Sequence, residues 1–326
     1  LSGGVVEALN LYFAGNRANN GGGIDNTGAR LIVRDSVVAG NAARGSGGGI
    51  RSGFRALGLP AVRLEVAGSA ITRNTGDWGG GLYIEGVGTS TIESSDVTEN
   101  VAGGFFGAGG IYNGGVATLA LRNSTIVGNL APYRAVGDDA PRTAGLLNKY
   151  RATATLIHIT VADHPTGIVR AGGEVRLRAS IVTGPPGARN CFGGVADDGF
   201  NLDSGTTCRF DPARGGAANA DPLLAAPRTY SVNGPHVYPL RPGSPAIDRI
   251  PAAGAGCPPI DARGAARPQG GGCDSGAFEL ATDERAAGGA DRAWPGARWA
   301  FRVGRAGSLA RENGGAGWIG ATVQQP

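Results

Sequence analysis

The sequence predicts an all-β fold, a single-stranded right-handed parallel β-helix. It has about seven coils, three short strands per coil and a disulfide-pinned C-terminal cap. Three observations predict it. Asn16, Asn41, Asn74, Asn100 and Asn129 anchor a common register, with Phe13, Val38, Ile71, Val97 and Ile126 three residues before and Ala8, Val33, Val66, Ile92 and Leu121 eight before. Glycine is abundant, 60 of 326 residues, and clusters after each anchor rather than recurring every third residue as in collagen. Between the clusters, Val, Ile and Leu return in register, which a disordered chain does not show. A shared register with variable spacing marks a stacked solenoid.

Each element of a coil has a local cause. In Leu119-Ala120-Leu121-Arg122 the leucines face one way and Arg122 the other, the period of a strand. Asn123-Ser124 turns the chain, and Thr125-Ile126-Val127 makes a second strand. Gly128-Asn129 is expected to turn it again, because Asn tolerates the left-handed conformation. The third strand starts at a glycine cluster, as in Gly47-Gly48-Gly49-Ile50, where backbones can approach closely. Successive anchors lie 25, 33, 26 and 29 residues apart, then 35 to His164, which occupies the anchor slot of the next coil. Coils stacked at about 4.8 Å bring Asn over Asn, so an amide ladder is expected through Asn16, Asn41, Asn74, Asn100 and Asn129. A leucine-rich repeat would show denser Leu, and a propeller blade four strands in about 40 residues.

The register divides the chain into a β-helix over 1–185, a non-repeating cap over 186–280 and a low-complexity tail over 281–326. Cys191 with Cys208, and Cys257 with Cys273, are spaced too widely for a zinc knuckle. Two local disulfides fit better, each contributing about 3 kcal/mol in the chain-entropy model. They imply an oxidising, extracytoplasmic compartment, either extracellular or at the cell surface. No apolar run of about 18 residues is present to cross a bilayer as a helix. The chain opens at Leu1-Ser2-Gly3-Gly4, inside a repeat and without Met, so any export signal is expected upstream. Net charge is +4, and Lys149 is the single lysine beside 29 arginines, which are scattered. Nucleic-acid binding needs a basic stripe with interleaved aromatics, so it is not expected. A monomer is.

Beyond 186 four motifs follow in order: Asp221-Pro222-Leu223-Leu224; Leu240-Arg241-Pro242-Gly243-Ser244-Pro245-Ala246-Ile247-Asp248; Asp261-Ala262-Arg263-Gly264 with Arg267-Pro268; and Cys273-Asp274-Ser275-Gly276-Ala277-Phe278-Glu279. This series resembles the choice-of-anchor Q family of bacterial surface and secreted right-handed β-helix proteins. The glycine-rich coils are also similar to those of polymorphic outer-membrane proteins. The resemblance implies an exported, surface-associated solenoid. The tail departs from it, with no sorting motif or apolar anchor. The segment 186–280 is expected to cover the open end of the solenoid, with Asp248, Asp261 and Asp274 pairing to Arg263 or Arg267 or capping turns.

Two functions follow. The first is a surface, adhesive or polysaccharide-binding module with no catalysis of its own, presenting its long sides to a glycan. The alternative is a polysaccharide lyase or glycoside hydrolase with a site in 130–164. There the insertion 130–143 carries Tyr133, Arg134, Asp138, Asp139 and Arg142, and Arg151, His158 and His164 follow. A lyase needs a cation to neutralise a uronate and a base for the sugar's C5 proton; a hydrolase needs paired carboxylates. Gly137-Asp138-Asp139 is similar to the paired-aspartate motif of polygalacturonase-type hydrolases, but their Asn-Thr-Asp, Gly-His-Gly and Arg-x-Lys signatures are absent. His158 is otherwise a turn residue and His164 the end of the ladder. No cofactor or metal is expected. Asp197, Asp198 and Asp203 offer oxygens for Ca²⁺ but lack calcium-loop spacing.

Overall fold

Each coil must pair with its neighbours along the axis, and the strands do so throughout. The computed structural model describes residues 1, 3–53, 61–104, 107–132, 145–230, 234–252 and 256–286. All the long sheets are parallel, and the chain forms a parallel β-helix. Following one coil, we number its sheets 1 to 4. Sheet 1 runs from Val5–Leu9 to Ala196–Asp197, and sheet 2 from Tyr12–Ala14 to Leu202–Asp203, each with eight strands. Sheet 4 has seven, from Ile24–Asn26 to Arg189–Phe192. Seven complete coils and the first half of an eighth result. Three strands recur in every complete coil. The first four coils add a two-residue strand in sheet 3: Arg17–Ala18, Ala42–Ala43, Thr75–Gly76 and Val101–Ala102.

The core is one column. Ala8, Val33, Val66, Ile92, Leu121, Leu156 and Leu177 stack inside sheet 1. Val38, Ile71, Val97, Ile126, Val161 and Val182 stack inside sheet 2, and Ile24, Ile50, Leu82, Ile111, Leu146 and Ile168 inside sheet 4. Burying such a side chain contributes about 1.5–3 kcal/mol.

Inside the coil, the anchor asparagines pair with their counterparts in the next coil and with backbone carbonyls of the one before. Asn41 donates its backbone N–H and its Nδ2 to Asn74 Oδ1, both at 3.0 Å. Its Nδ2 also donates to the Phe13 carbonyl at 2.8 Å. Asn74 repeats this with Asn100 and Val38, and Asn100 with Asn129 and Ile71. Asn16 starts the ladder at the exposed first coil, donating to Asn41. His164 receives it at the other end, with Asn129 Nδ2 3.2 Å from Nε2.

The left-handed turn is not at the ladder residue. None of the five asparagines has positive φ; the residue before each does, as Gly40 at 62°, Arg73 at 55° and Gly128 at 63°. The ladder Asn must send its amide inward, so the reversal falls one position earlier. The slot six before the anchor is also left-handed, at Asn10, Asp35, Gly68, Ser94 and Asn123. The serines that follow form a second ladder: Ser36, Ser69 and Ser95 N–H groups donate to the Oγ of Ser69, Ser95 and Ser124 at 3.1–3.2 Å. In the glycine clusters the close approach is real. A Cβ on Gly22, Gly48 or Gly80 would sit against backbone of the next coil, inside van der Waals contact.

The solenoid does not stop at 185. Arg189–Phe192 joins sheet 4, and Ala196–Asp197 and Leu202–Asp203 join sheets 1 and 2. Phe210 and the Cys191–Cys208 disulfide then enter the core column and close its end. Pro185-Pro186 and the loss of the Asn anchor hide this last turn from a reading of the sequence. The segment from about 219 runs back along the outside instead. Its Val237, Leu240, Ala246 and Phe278 pack on Ile181 and Leu202 of sheet 2. Asn123 Nδ2 donates to the Ile260 carbonyl at 3.1 Å, and Ala277 N–H donates to Thr160 Oγ1 at 3.1 Å. The second disulfide, Cys257–Cys273, lies in this segment. From 281, Thr282–Ala286 is a short helix.

Asn74→Ala should destabilise the protein by about 3 kcal/mol or more in urea titration, since it orphans buried donors on Asn41. The same change at exposed Asn16 should cost less than about 1 kcal/mol.

Candidate functional site: the outer faces of the solenoid

A catalytic reading draws on residues of the 130–143 insertion and of the coil that follows it. Tyr133, Arg134, Asp138, Asp139 and Arg142 lie outside the described residues. Their insertion leaves after Leu130, which bridges to Val101 of sheet 3, and returns at Gly145 before sheet 4. His158 sits at the corner between sheets 1 and 2, at φ 52°, fully buried beneath the returning segment. Its Nε2 donates to the Gly256 carbonyl at 3.0 Å. Burial, then the charge of Arg267, lowers its pKa to about 4. His164 is inside the ladder, fully buried, and burial lowers its pKa to about 3. Its Nε2 faces an amide donor, so Nε2 is the acceptor and the proton sits on Nδ1, which has no partner. Neither imidazole faces solvent or the other's surroundings. Arg151 is exposed in the turn before sheet 1, with its N–H donated to the Gly115 carbonyl, and Lys149 lies 5.1 Å from the Tyr150 ring.

The motif carboxylates are satisfied by backbone and arginine. Asp261 accepts from the N–H groups of Arg263, Ala265 and Glu279 and from Arg263 Nε at 2.9 Å. Glu279 Oε2 accepts from Arg267 Nη1 and Asp274 N–H, both at 2.9 Å, and Oε1 from Gln269 N–H. Asp274 accepts from the N–H groups of Asp248 and Leu280. Arg267 and Glu279 are both fully buried. These bonded carboxylates knit the segment together and none is left free to move a proton, although Arg267 Nε itself has no partner.

The aspartates considered for Ca²⁺ are also committed. Asp197 accepts from Gly199, Asn201 and Asp211; Asp198 pairs with Arg176; Asp203 accepts from Asn190, Gly205 and Cys208. Among the described residues no group of three metal-ligating side chains converges.

Three long faces surround the core. Sheet 2 is overlain by the returning segment at its later coils. On sheet 4 the outward column runs Asp25, Arg51, Tyr83, Tyr112, Leu147, Val169 and Phe192. Tyr83 and Tyr112 stack at 4.8 Å, Trp78 meets Tyr112 edge-on at 6.0 Å, and Glu85 accepts from the Tyr83 hydroxyl. Arg51 chelates Asp25 at 2.6 and 2.8 Å. This aromatic cluster was missed in the sequence; the second residue after each glycine cluster would have signalled it. It is not an open platform, because Tyr83, Tyr112, Leu147 and Val169 are all buried.

Sheet 1 is open. Its outward residues Arg30, Arg34, Arg63, Thr89, Glu93, Thr118, Arg122 and Glu174 are exposed. Threonines sit together at its centre: Thr89, Thr118 and Thr153 in one column, Thr91 and Thr155 in the next. Towards the ends Arg30 and Arg63 share Glu65, and Arg176 bridges Glu174 and Asp198. Six arginines stand against four glutamates and Asp198 on this face, so its charge nearly cancels.

No protein-family model, curated protein or solved structure matches this chain. The resemblance to the choice-of-anchor Q family therefore rests on the sequence motifs, while the solenoid itself rests on its parallel sheets. Among the described residues no helix is long and apolar enough to cross a membrane.

Two substitutions test these placements. A histidine with lowered pKa supports the fold above its unfolded value of 6.5, and that support is lost as pH falls towards its folded value. His164→Asn, which extends the ladder, should shift the acid-unfolding midpoint to lower pH by circular dichroism. Glu279→Gln should destabilise by about 3–5 kcal/mol in chemical denaturation, since it strands buried Arg267.

Proposed function

We propose that the protein is an exported surface module that binds polysaccharide along the outer face of sheet 1, with no chemistry of its own. One observation carries this reading. Sheet 1 stacks eight strands, one level per coil, and seven of them, from Val5–Leu9 to Glu174–Arg178, turn hydroxyl, guanidinium or carboxylate groups outward. At about 4.8 Å per level the face spans roughly 34 Å. A glycan is also a linear repeat with a rise of about one sugar ring, so several weak hydrogen-bond sites can act on one chain together. The near-balance of charge favours a neutral glycan over a uronate polymer. The two disulfides support an oxidising compartment outside the cytoplasm. A catalytic reading draws no support from His158 or His164, which are buried and separate.

Binding to a panel of immobilised neutral and acidic polysaccharides tests this. The wild type should retain a neutral glycan, and a Thr91→Arg/Thr155→Arg double variant should bind it about tenfold more weakly with unchanged melting. Retention of no polysaccharide, or new reducing ends or unsaturated sugars released by wild type, would overturn the proposal.

A further inference from the structure

The returning segment carries a strand pair that lies against sheet 2. Its strands Arg228–Thr229 and His236–Val237 pair antiparallel, Thr229 opposite His236. Val237 is buried on the apolar side of this strap, in one cluster with Ile181 and Leu202. His236 makes two polar contacts to the solenoid. Its carbonyl accepts from Thr125 Oγ1 at 2.8 Å, and its Nδ1 lies 2.9 Å from Asp96 Oδ2.

Asp96 is an unusual residue for its place. It belongs to the outward column Tyr12, Val37, Ala70, Asp96, Thr125, Thr160, Ile181 and contributes that column's sole carboxylate. The carboxylate is fully buried. Oδ2 also accepts from Thr98 Oγ1 at 3.2 Å, whereas Oδ1 has no partner. The imidazole is 42% exposed, so its proton can exchange with solvent.

We propose that His236 and Asp96 form a proton-operated clasp that holds the strap on sheet 2 in acid and lets it lift as pH rises. With His236 protonated, the buried anion faces a cation through a charged hydrogen bond. Once the imidazole is neutral, Asp96 keeps one neutral N–H donor and a hydroxyl, and its charge has no counter-charge in contact. A buried anion in that state favours access of water, which requires the strap to move. Lifting would uncover Asp96, Thr98 and Thr125 on the fourth and fifth coils.

The surrounding charges agree with this direction. From the solenoid, Asp96 and Glu99 face His236 and favour its proton, while Arg73, 3.9 Å from Glu99, opposes it. On the strap, Tyr238 feels the same acids with Asp163, and burial raises its pKa, so it stays neutral. The Asp96 hydrogen bond leads the causes that raise the His236 pKa above 6.5, against the cost of burial. A raised histidine pKa supports the closed form fully below about 6.5 and loses that support as pH climbs through the folded value.

Amide hydrogen exchange, corrected for the intrinsic pH dependence, reads the strap directly. From about pH 5 to about pH 8, protection of peptides over 234–241 should fall roughly tenfold, while peptides over 30–39 stay constant. Asp96→Asn and His236→Gln should each give a flat profile, His236→Gln at the more open level. A flat profile in the wild type would overturn the clasp, as would unchanged pH dependence in either variant. Melting curves confirm that each variant is folded, and if one is not, the other carries the test.

Discussion

One constraint governs the molecule: each residue inside a coil must sit on its counterpart in the next coil at strand spacing. Apolar residues meet it by stacking, and the column from Ala8 to Leu177 is the result. Polar residues meet it only if they donate to one neighbour and accept from the other. Asparagine can do both through one amide, and its Nδ2 has a second hydrogen left for the carbonyl of the earlier coil. Serine repeats the device with a hydroxyl. An unpaired polar group in that interior would carry the full cost of desolvation, so the ladders are as much part of the core as the valines.

The same constraint explains the glycines and the left-handed residues. A glycine cluster lies where backbone of successive coils comes too close for a Cβ. The corners then need positive φ, met by Gly40 or Gly128 in some coils and by Arg73 or Glu99 in others. Such residues are strained, and stacking on both sides holds them in place.

The faces have been put to different uses. The returning segment, knit by Asp261, Arg263, Arg267, Asp274 and Glu279, occupies sheet 2 and buries His158. Sheet 4 carries a buried aromatic cluster. Sheet 1 keeps a nearly neutral exposed surface, on which the proposed glycan contact rests. The His236–Asp96 contact joins a buried charge to a titrating group at an edge of the strap, so the cover of sheet 2 answers to pH in the proposal made above.

Much of the fold was legible because it repeats. The Asn anchors, the apolar residues three and eight before them and the local cysteine pairs each point to one partner, and a sequence shows such periodic or local relations directly. The left-handed slot was misplaced by one residue, since backbone sense depends on where the amide must point. The last coil was hidden, because Asn201 takes the serine slot, accepting from the Ser180 N–H, and Asp203 stands opposite Val182 where the earlier coils have an apolar residue. The site was barely legible. Nothing in the order of residues brings Asp96 to His236, 140 positions away, or puts His158 beneath Gly256. Nor does alternation within a strand say which outward face stays open. Sequence by itself determined the coil, because each turn obeys the same local rule. Tertiary structure alone decided which faces are covered, because that depends on how a non-repeating segment folds back across many turns, and no short-range pattern encodes it.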